Sequence, residues 1–236
     1  MLGNQHVVIF GGSSGIGLAA AGQARSLGAR LTLVGRSREK LNRAAESLGG
    51  ARVVVADITD RAAVEAVFAG MERVDHLVVT AGTFNAGRVA DTDPDTLLRA
   101  LDERIAGPLY AIKAALPLFA ERASITLMGG QLSDRPTGNG VAVISAAVRG
   151  VEALAGALAQ ELKPIRVNVV APGFTDTPLF DVLGESSKVF LQQVAESLPV
   201  GRVGRAEEIG SAILFMMTNA YVNGEVLHID GGGRLV

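Results

Sequence analysis

The sequence predicts an α/β fold, a single domain built on a doubly wound parallel sheet. Short Val/Ile/Leu runs alternate with longer helical patterns from one end to the other. Most of those runs are apolar at nearly every position, and one leads straight into a glycine-rich turn followed by a helix. A strand apolar on successive residues has both faces buried, as in a parallel sheet covered by helices on each side. Regular strand–helix alternation then calls for right-handed crossovers. The 236 residues fit one such domain, and no linker, repeat or low-complexity tract divides them.

In chain order, strands are expected at His6–Phe10, Arg30–Gly35, Arg52–Ala56, His76–Thr80, Ser124–Met128, Arg166–Ala171 and Val226–Ile229. Helices are expected at Gly15–Leu27, Arg38–Leu48, Arg61–Met71, Asp95–Phe119, Gly140–Leu162 and Ala206–Thr218. Asp60 and Asp93 suit N-cap positions, the latter with Pro94 at the first helical residue. Phe180 to Leu198 departs from the alternation and reads as an inserted segment covering the ligand crevice.

Composition narrows the function classes. Formal net charge is -2 and the basic residues are dispersed, so no nucleic-acid partner is expected. There is no cysteine, which removes disulfide and thiol chemistry and fits a reducing cytoplasm. Mean hydropathy is +0.32. The most apolar stretch, Val141 to Gln160, is nevertheless interrupted by Arg149 and Glu152 and rich in Ala and Gly, so it reads as a buried helix and no membrane partner is expected. Met1-Leu2-Gly3-Asn4 shows no basic region before an apolar one, so no secretory signal is expected.

The strand His6–Phe10 runs into Gly11-Gly12-Ser13-Ser14-Gly15-Ile16-Gly17 and then a helix. Glycines at 11, 15 and 17 permit a tight turn and bring backbone N–H groups, with the positive end of the helix, against a pyrophosphate. Strand, turn and helix together make this a Rossmann-type dinucleotide site rather than a packing turn. The second strand would end in an acid on the ribose 2′-hydroxyl if the cofactor were NAD; it ends in Val34-Gly35-Arg36-Ser37-Arg38. A guanidinium at Arg36 can fork onto a 2′-phosphate and Ser37 can add a bond, so NADP(H) is the expected cofactor unless Arg36 is an ordinary solvated arginine. Asp57-Ile58 stand where an adenine edge and face would lie, although Asp57 equally suits a cap of the next turn.

Further segments carry a likeness over essentially the whole chain. Phe10 to Gly17 resembles TGxxxGIG with Phe10 for Thr, and Val79-Thr80-Ala81-Gly82 resembles NNAG with both asparagines replaced. Pro172-Gly173-Phe174-Thr175-Asp176-Thr177 resembles PGxxxT, while Gly201 to Ile209 and Asn223 to Gly232 resemble two closing segments. Together these resemble the short-chain dehydrogenase/reductase family. The resemblance implies a seven-stranded sheet, an adenine-side role for Asp57, cofactor contacts through Ala81 and Gly82, and a nicotinamide carboxamide contact through the 172–177 segment. It also implies a homodimer or homotetramer built through the two long helices.

The catalytic residues do not follow. The family's reductases use Asn, Ser, Tyr and Lys, the last two as YxxxK at the start of the fifth helix. Anchored on Ala146-Ala147-Val148-Arg149-Gly150, that motif falls on Val141 to Ser145, so Tyr becomes Val141 and Lys becomes Ser145. The Ser falls on Gly129 or Gly130 and the Asn on Arg104. Ketone reduction needs a proton donor beside the developing alkoxide, which a valine cannot supply and an unactivated serine supplies poorly. Arg104 could bind a substrate carboxylate or stabilise an oxyanion, or lie on a helix surface or interface. Ser133, Asp134 and Arg135, after the fifth strand, form either a replacement polar site or a solvated turn fixed by Pro136. Asp176 suits a cap of the inserted segment. His6, His76 and His228 read as packed or surface residues, and no pair has metal-ligand spacing, so no metal is expected. Two functions stand open for a small-molecule substrate: an atypical NADP(H)-dependent oxidoreductase of a small carbonyl, alcohol or imine, or an NADP(H)-binding protein with a sensing, scaffolding or non-redox role.

Overall fold

The computed structural model describes residues 2–184 and 186–236, with backbone alone for 181–183. Met1, and Glu185 of the inserted segment, lie outside the described residues. In order the elements are β1 (His6–Phe10), α1 (Gly15–Ser26), β2 (Arg30–Gly35), α2 (Arg38–Ser47), β3 (Arg52–Val55), α3 (Arg61–Val67), β4 (Val74–Val79), α4 (Pro94–Leu101), α5 (Gly107–Ala115) and β5 (Phe119–Met128). There follow α6 (Ala142–Glu161), β6 (Arg166–Pro172), β7 (Thr175–Asp176), α7 (Ser186–Ser197), β8 (Gly204–Arg205), α8 (Ala206–Thr218) and β9 (Val226–Ile229).

Seven strands form one parallel sheet in the order β3-β2-β1-β4-β5-β6-β9, while β7 and β8 make a separate two-stranded ladder. The sheet grows outward from β1 in one direction and then, from β4, in the other. That reversal leaves a crevice beyond the carboxyl ends of β1 and β4, the place where open α/β sheets take ligands. Strand periodicity divides the core into two layers. Val8 and Phe10 point to the layer of α3, α5 and α6, with Phe68, Ile112, Val151 and Leu158. Val7 and Ile9 point to the layer of α1, α2 and α8, with Ala20, Leu41, Ile213 and Met216.

The long helix expected over Asp95–Phe119 is broken. A π-turn at Asp102–Ala106 separates α4 from α5, a 3₁₀ turn at Leu116–Leu118 ends α5, and Phe119 already belongs to β5. Pro108 has no N–H to return to the carbonyl of residue 104, so the regular ladder is lost there. Gly107 lies where a Cβ would meet the Ile58 carbonyl oxygen at 2.8 Å, which lets the helix approach the loop after β3. Helix α3 stops at Val67, four residues short of the expected Met71, and Gly70 follows with φ +69°. Strand β4 begins at Val74, because Val74 pairs with Phe119 at the early end of β5.

Helix α6 is long and apolar enough to cross a membrane by length and composition. In the fold its Val151, Ala155, Leu158 and Ala159 are buried in the core layer over the sheet. The inserted segment 180–198 contains the end of a 3₁₀ turn (Pro178–Leu183) and α7. Its Phe180 meets Phe84, Phe174 and Phe190 at ring separations of 6.4, 6.0 and 5.9 Å.

Candidate functional site

The turn after β1 forms one wall of a cleft of about 580 Å³. Gly11 has φ +87°, and a Cβ there would lie 2.5 Å from Thr80 Oγ1. A Cβ on Gly17 would run into the Gly11 carbonyl oxygen. Both positions therefore need glycine for close approach of α1 to the end of β4. Thr80 locks the junction by donating its hydroxyl to the Phe10 carbonyl at 2.9 Å. Ser14 caps α1 in extended conformation with no side-chain capping bond, so its hydroxyl and the first N–H groups of the helix are free for an anion. Gly11, Ser13, Ser14, Gly15, Ile16 and Gly17 all line the cleft.

At the far end of the cleft stand Arg36, Lys40, Asp57, Ile58 and Arg99. Burial alone would raise the Asp57 carboxyl. Bonds from the Thr59 N–H at 3.0 Å and hydroxyl at 2.8 Å, with the charges of Arg36 and Arg99, outweigh it and hold the group below its ordinary value. Asp57 thus caps its own turn and also lines the cleft. Two neighbours of Arg36 differ from expectation. Ser37 caps α2, accepting from the Lys40 N–H at 3.3 Å, and neither Ser37 nor Arg38 lines the cleft. Lys40, one helical turn after Arg36, takes the place expected for Arg38 because α2 begins at residue 38 and turns it outward.

Deeper in, a cavity of about 110 Å³ shares Ile16, Thr80, Ala81, Gly82, Glu103 and Leu179 with the cleft. The π-turn aims two consecutive side chains at it. Glu103 is buried, and its carboxylate accepts from the Thr83 N–H at 2.7 Å, the Thr83 hydroxyl at 2.8 Å and Asn85 Nδ2 at 3.2 Å. Arg104 donates Nη2 to the Thr83 carbonyl at 2.8 Å, and its Nη1 lies 3.8 Å from Glu103 Oε2. Burial lowers the guanidinium from its ordinary value, opposed by Glu103, but from a starting point high enough to leave it charged. Of the alternatives for Arg104, the pocket is the observed one. π-Turns inside helices recur at functional sites, and nothing in the spacing of residues 95–119 announced this one.

The other expected residues divide. Pro172 lines the inner cavity and Thr177 the outer cleft. Gly173 commits its N–H to the Ile229 carbonyl at 3.0 Å. Phe174 joins the aromatic cluster, 5.6 Å from Phe190, and Thr175 is buried with its hydroxyl on the Gly173 carbonyl at 3.0 Å. Their side chains thus hold the segment in place rather than line the cleft. Ser133 and Asp134 line neither space. Arg149 binds the Ser133 carbonyl at 2.9 Å and Asp134 Oδ1 at 2.8 Å, tying this loop to α6. His228 Nε2 lies 2.8 Å from Asp134 Oδ2, close enough for an ion pair but without hydrogen-bond geometry. Asp134 is therefore a fastening point, not a replacement acid. Lys40, Thr83, Asn85, Arg99 and Glu103 line the cleft and were not singled out in the sequence, where each is an ordinary polar residue without a motif.

Comparison with known proteins agrees with this geometry. A family profile described as enoyl-(acyl carrier protein) reductase matches residues 11–233. The human 3-oxoacyl-[acyl-carrier-protein] reductase is 32% identical, with 97% of each chain covered. The chain belongs to the short-chain dehydrogenase/reductase family. Among solved structures, a MalC reductase/Diels-Alderase from Malbranchea aurantiaca has TM-score 0.92 and 27% identity, covering 100% of this chain and 98% of that one. A small-chain dehydrogenase in complex with NADPH has TM-score 0.86 and 32% identity, covering 99% and 100%. The family comprises oxidoreductases that use nicotinamide cofactors, and this chain is of that type.

The family's YxxxK register, anchored on Ala146 to Gly150, falls at the start of α6. Val151 lines the inner cavity, and Val148 Cγ1 lies 3.7 Å from where a Cβ on Gly130 would stand. Glu152 Oε1 lies 3.5 Å from where a Cβ on Gly129 would stand, so Val148, Val151 and Glu152 carry the helix edge nearest the site. Val141, at the helix N-cap, packs instead in a satellite cluster with Ala100, Ile144 and Ala147. Ser145, three residues before Val148 on the same face, is buried with its Oγ unpartnered, and neither Val141 nor Ser145 lines the two spaces. Neither position supplies Tyr or Lys.

Proposed function

We propose that this chain binds NADP(H) and acts as an atypical short-chain oxidoreductase on a small carbonyl, alcohol or imine. One observation carries the cofactor choice: Arg36 and Lys40 line the adenosine end of the cleft, where NAD specificity would call for an acid at the end of β2. The fit is otherwise that of a dinucleotide, with a glycine cradle that a Cβ would fill and the free N-terminus of α1 beside it. Bound nicotinamide would supply hydride chemistry. The chain's own residues hold the phosphates, fix the inner cavity and exclude water with Leu179 and the aromatic cluster around Phe180. A small-molecule substrate, a homodimer or homotetramer and a cytoplasmic setting complete the reading, the last resting on the absence of cysteine.

A second reading, an NADP(H)-binding protein with a non-redox role, draws on Val141 and Ser145, which stand where the family has its proton-donating tyrosine and its lysine. Titration with NADPH and NADH, followed by a panel of ketones, aldehydes and imines with absorbance of NADPH as readout, tests both. Preference for NADPH with slow turnover on at least one class is the expected result. Equal affinity for the two cofactors overturns the cofactor assignment, and NADPH binding with no turnover on any class favours the second reading.

A further inference from the structure

We propose that Arg104 is the residue that receives the substrate's oxygen, through Nη1, and that it selects a neutral carbonyl rather than a carboxylate. The inference rests on the reading of the cleft as a nicotinamide nucleotide site and names what enters the inner cavity beside it. Arg104 Nη1 is buried and has no hydrogen-bond partner, while Nη2 is already held by the Thr83 carbonyl. A buried charged donor left unpaired is costly, so the site is built to be completed by an acceptor from outside the chain. Around it the cavity presents apolar surface from Val79, Leu127, Met128, Val151 and Leu179. The one hydroxyl among the lining residues, Thr80, is spent on the Phe10 carbonyl. Arg104 Nη1 is the unpartnered side-chain donor on that surface, among the described residues.

Charge decides which acceptor fits. Glu103 Oε2, 3.8 Å from Nη1, is too far for a hydrogen bond but near enough to offset the guanidinium charge. Donors from Thr83 and Asn85 hold that carboxylate in place. A substrate carboxylate bound at Nη1 would therefore sit against Glu103 in a small, largely apolar space and meet repulsion as well as attraction. A ketone or aldehyde oxygen needs one donor and brings no charge, which matches what the pair offers. Arg104 then polarises the carbonyl and stabilises negative charge developing on its oxygen, without transferring a proton.

Infrared difference spectra of cyclopentanone bound to the enzyme with saturating NADP⁺ test this, because oxidised cofactor and ketone form a complex that cannot turn over. The carbonyl stretch is expected at lower wavenumber in the natural protein than in Arg104→Met, with Arg104→Lys between the two. Acetate is expected to compete with cyclopentanone at least tenfold more weakly than an equally small neutral ketone such as acetone. Identical carbonyl frequencies in the natural protein and Arg104→Met, no saturable ketone binding, or tighter binding of acetate would each overturn the proposal. NADP⁺ titrations on the same samples separate loss of the ketone contact from failure of the nucleotide site.

Discussion

Arg36 and Lys40 illustrate how little of a binding site a single side chain has to supply. Both are exposed, so each acts through a charge-assisted contact whose strength depends on salt. Losing such a contact to the 2′-phosphate at Arg36 is worth about 1.5–3 kcal/mol, or roughly ten- to a hundredfold in affinity. Arg36→Ala should therefore weaken NADPH by that factor and leave NADH nearly unchanged, by fluorescence titration at fixed ionic strength. Lys40→Ala should weaken NADPH by a smaller factor, since ammonium offers a point charge and not a fork. Parallel losses for both cofactors in Arg36→Ala would mean that the arginine acts on the loop and not on the phosphate. Arg36 was legible because its place relative to the glycine turn is fixed by covalent spacing. Lys40 was not, because only the start of α2 decides which of Arg38 and Lys40 turns inward.

Helix α6 shows what changes when side chains are read as an edge. Val141 and Ser145 stand at its start where the family has tyrosine and lysine, so the acid and the ammonium that lowers its pKa are both missing. General acid catalysis contributes about 10²–10⁴-fold, and ketone reduction by the natural chain should be slow by at least that factor against an intact tyrosine–lysine pair. Val141→Tyr combined with Ser145→Lys is expected to raise NADPH-dependent ketone turnover, while Ile144→Tyr with Val148→Lys is expected not to. The two double variants, assayed side by side with melting curves to confirm folding, report which register faces the substrate. A gain in the second pair alone would move the register three residues later than the anchoring on Ala146 to Gly150.

Packing of the whole chain brings in two further consequences. His76 is buried between β4 neighbours, with Nδ1 2.7 Å from Ser124 Oγ and Nε2 2.8 Å from Gln5 Oε1. Burial first, then the Arg166 charge, pulls its pKa from 6.5 to about 4, against the opposing charge of Asp75. The unfolded chain therefore takes up this proton at a higher pH than the folded one. The stabilisation is complete above pH 6.5 and is lost as pH falls toward 4, a difference of about 3 kcal/mol at most. Urea unfolding at a series of pH values should show this decline, and His76→Gln should flatten it; a natural protein equally stable at pH 7 and pH 4.5 would contradict the burial argument. On the outer side of α6, Ala142, Ala146, Ala153, Gly156 and Ala157 are exposed, and Leu98 and Leu109 are exposed on α4 and α5. Small side chains on a long helix permit close approach by a second helix. Light scattering is expected to give at least twice the 24.4 kDa chain mass, and Gly156→Arg to shift the distribution toward monomer. A natural protein that scatters as a monomer at micromolar concentration would rule this out.

Local chemistry was enough to determine the seven strands of the sheet, its doubly wound parallel class and the glycine cradle. Apolar runs, cap residues and Gly11-x-x-x-Gly15-x-Gly17 act over a few residues, and parallel crossovers leave few topologies. The absence of the tyrosine–lysine pair was legible too, because no shift of a few residues along this helix finds either residue type. Only the tertiary structure decided how the remaining polar residues are shared out. It turned Asp134 toward Arg149, sent Phe174 into an aromatic cluster, and broke the helix at Pro108 so that Glu103 and Arg104 face one cavity. Those outcomes depend on contacts between residues far apart in the chain, such as Gly107 against Ile58 and Val148 opposite Gly130. No local pattern encodes such contacts, since a buried arginine and a solvated one read identically until the chain has folded around them.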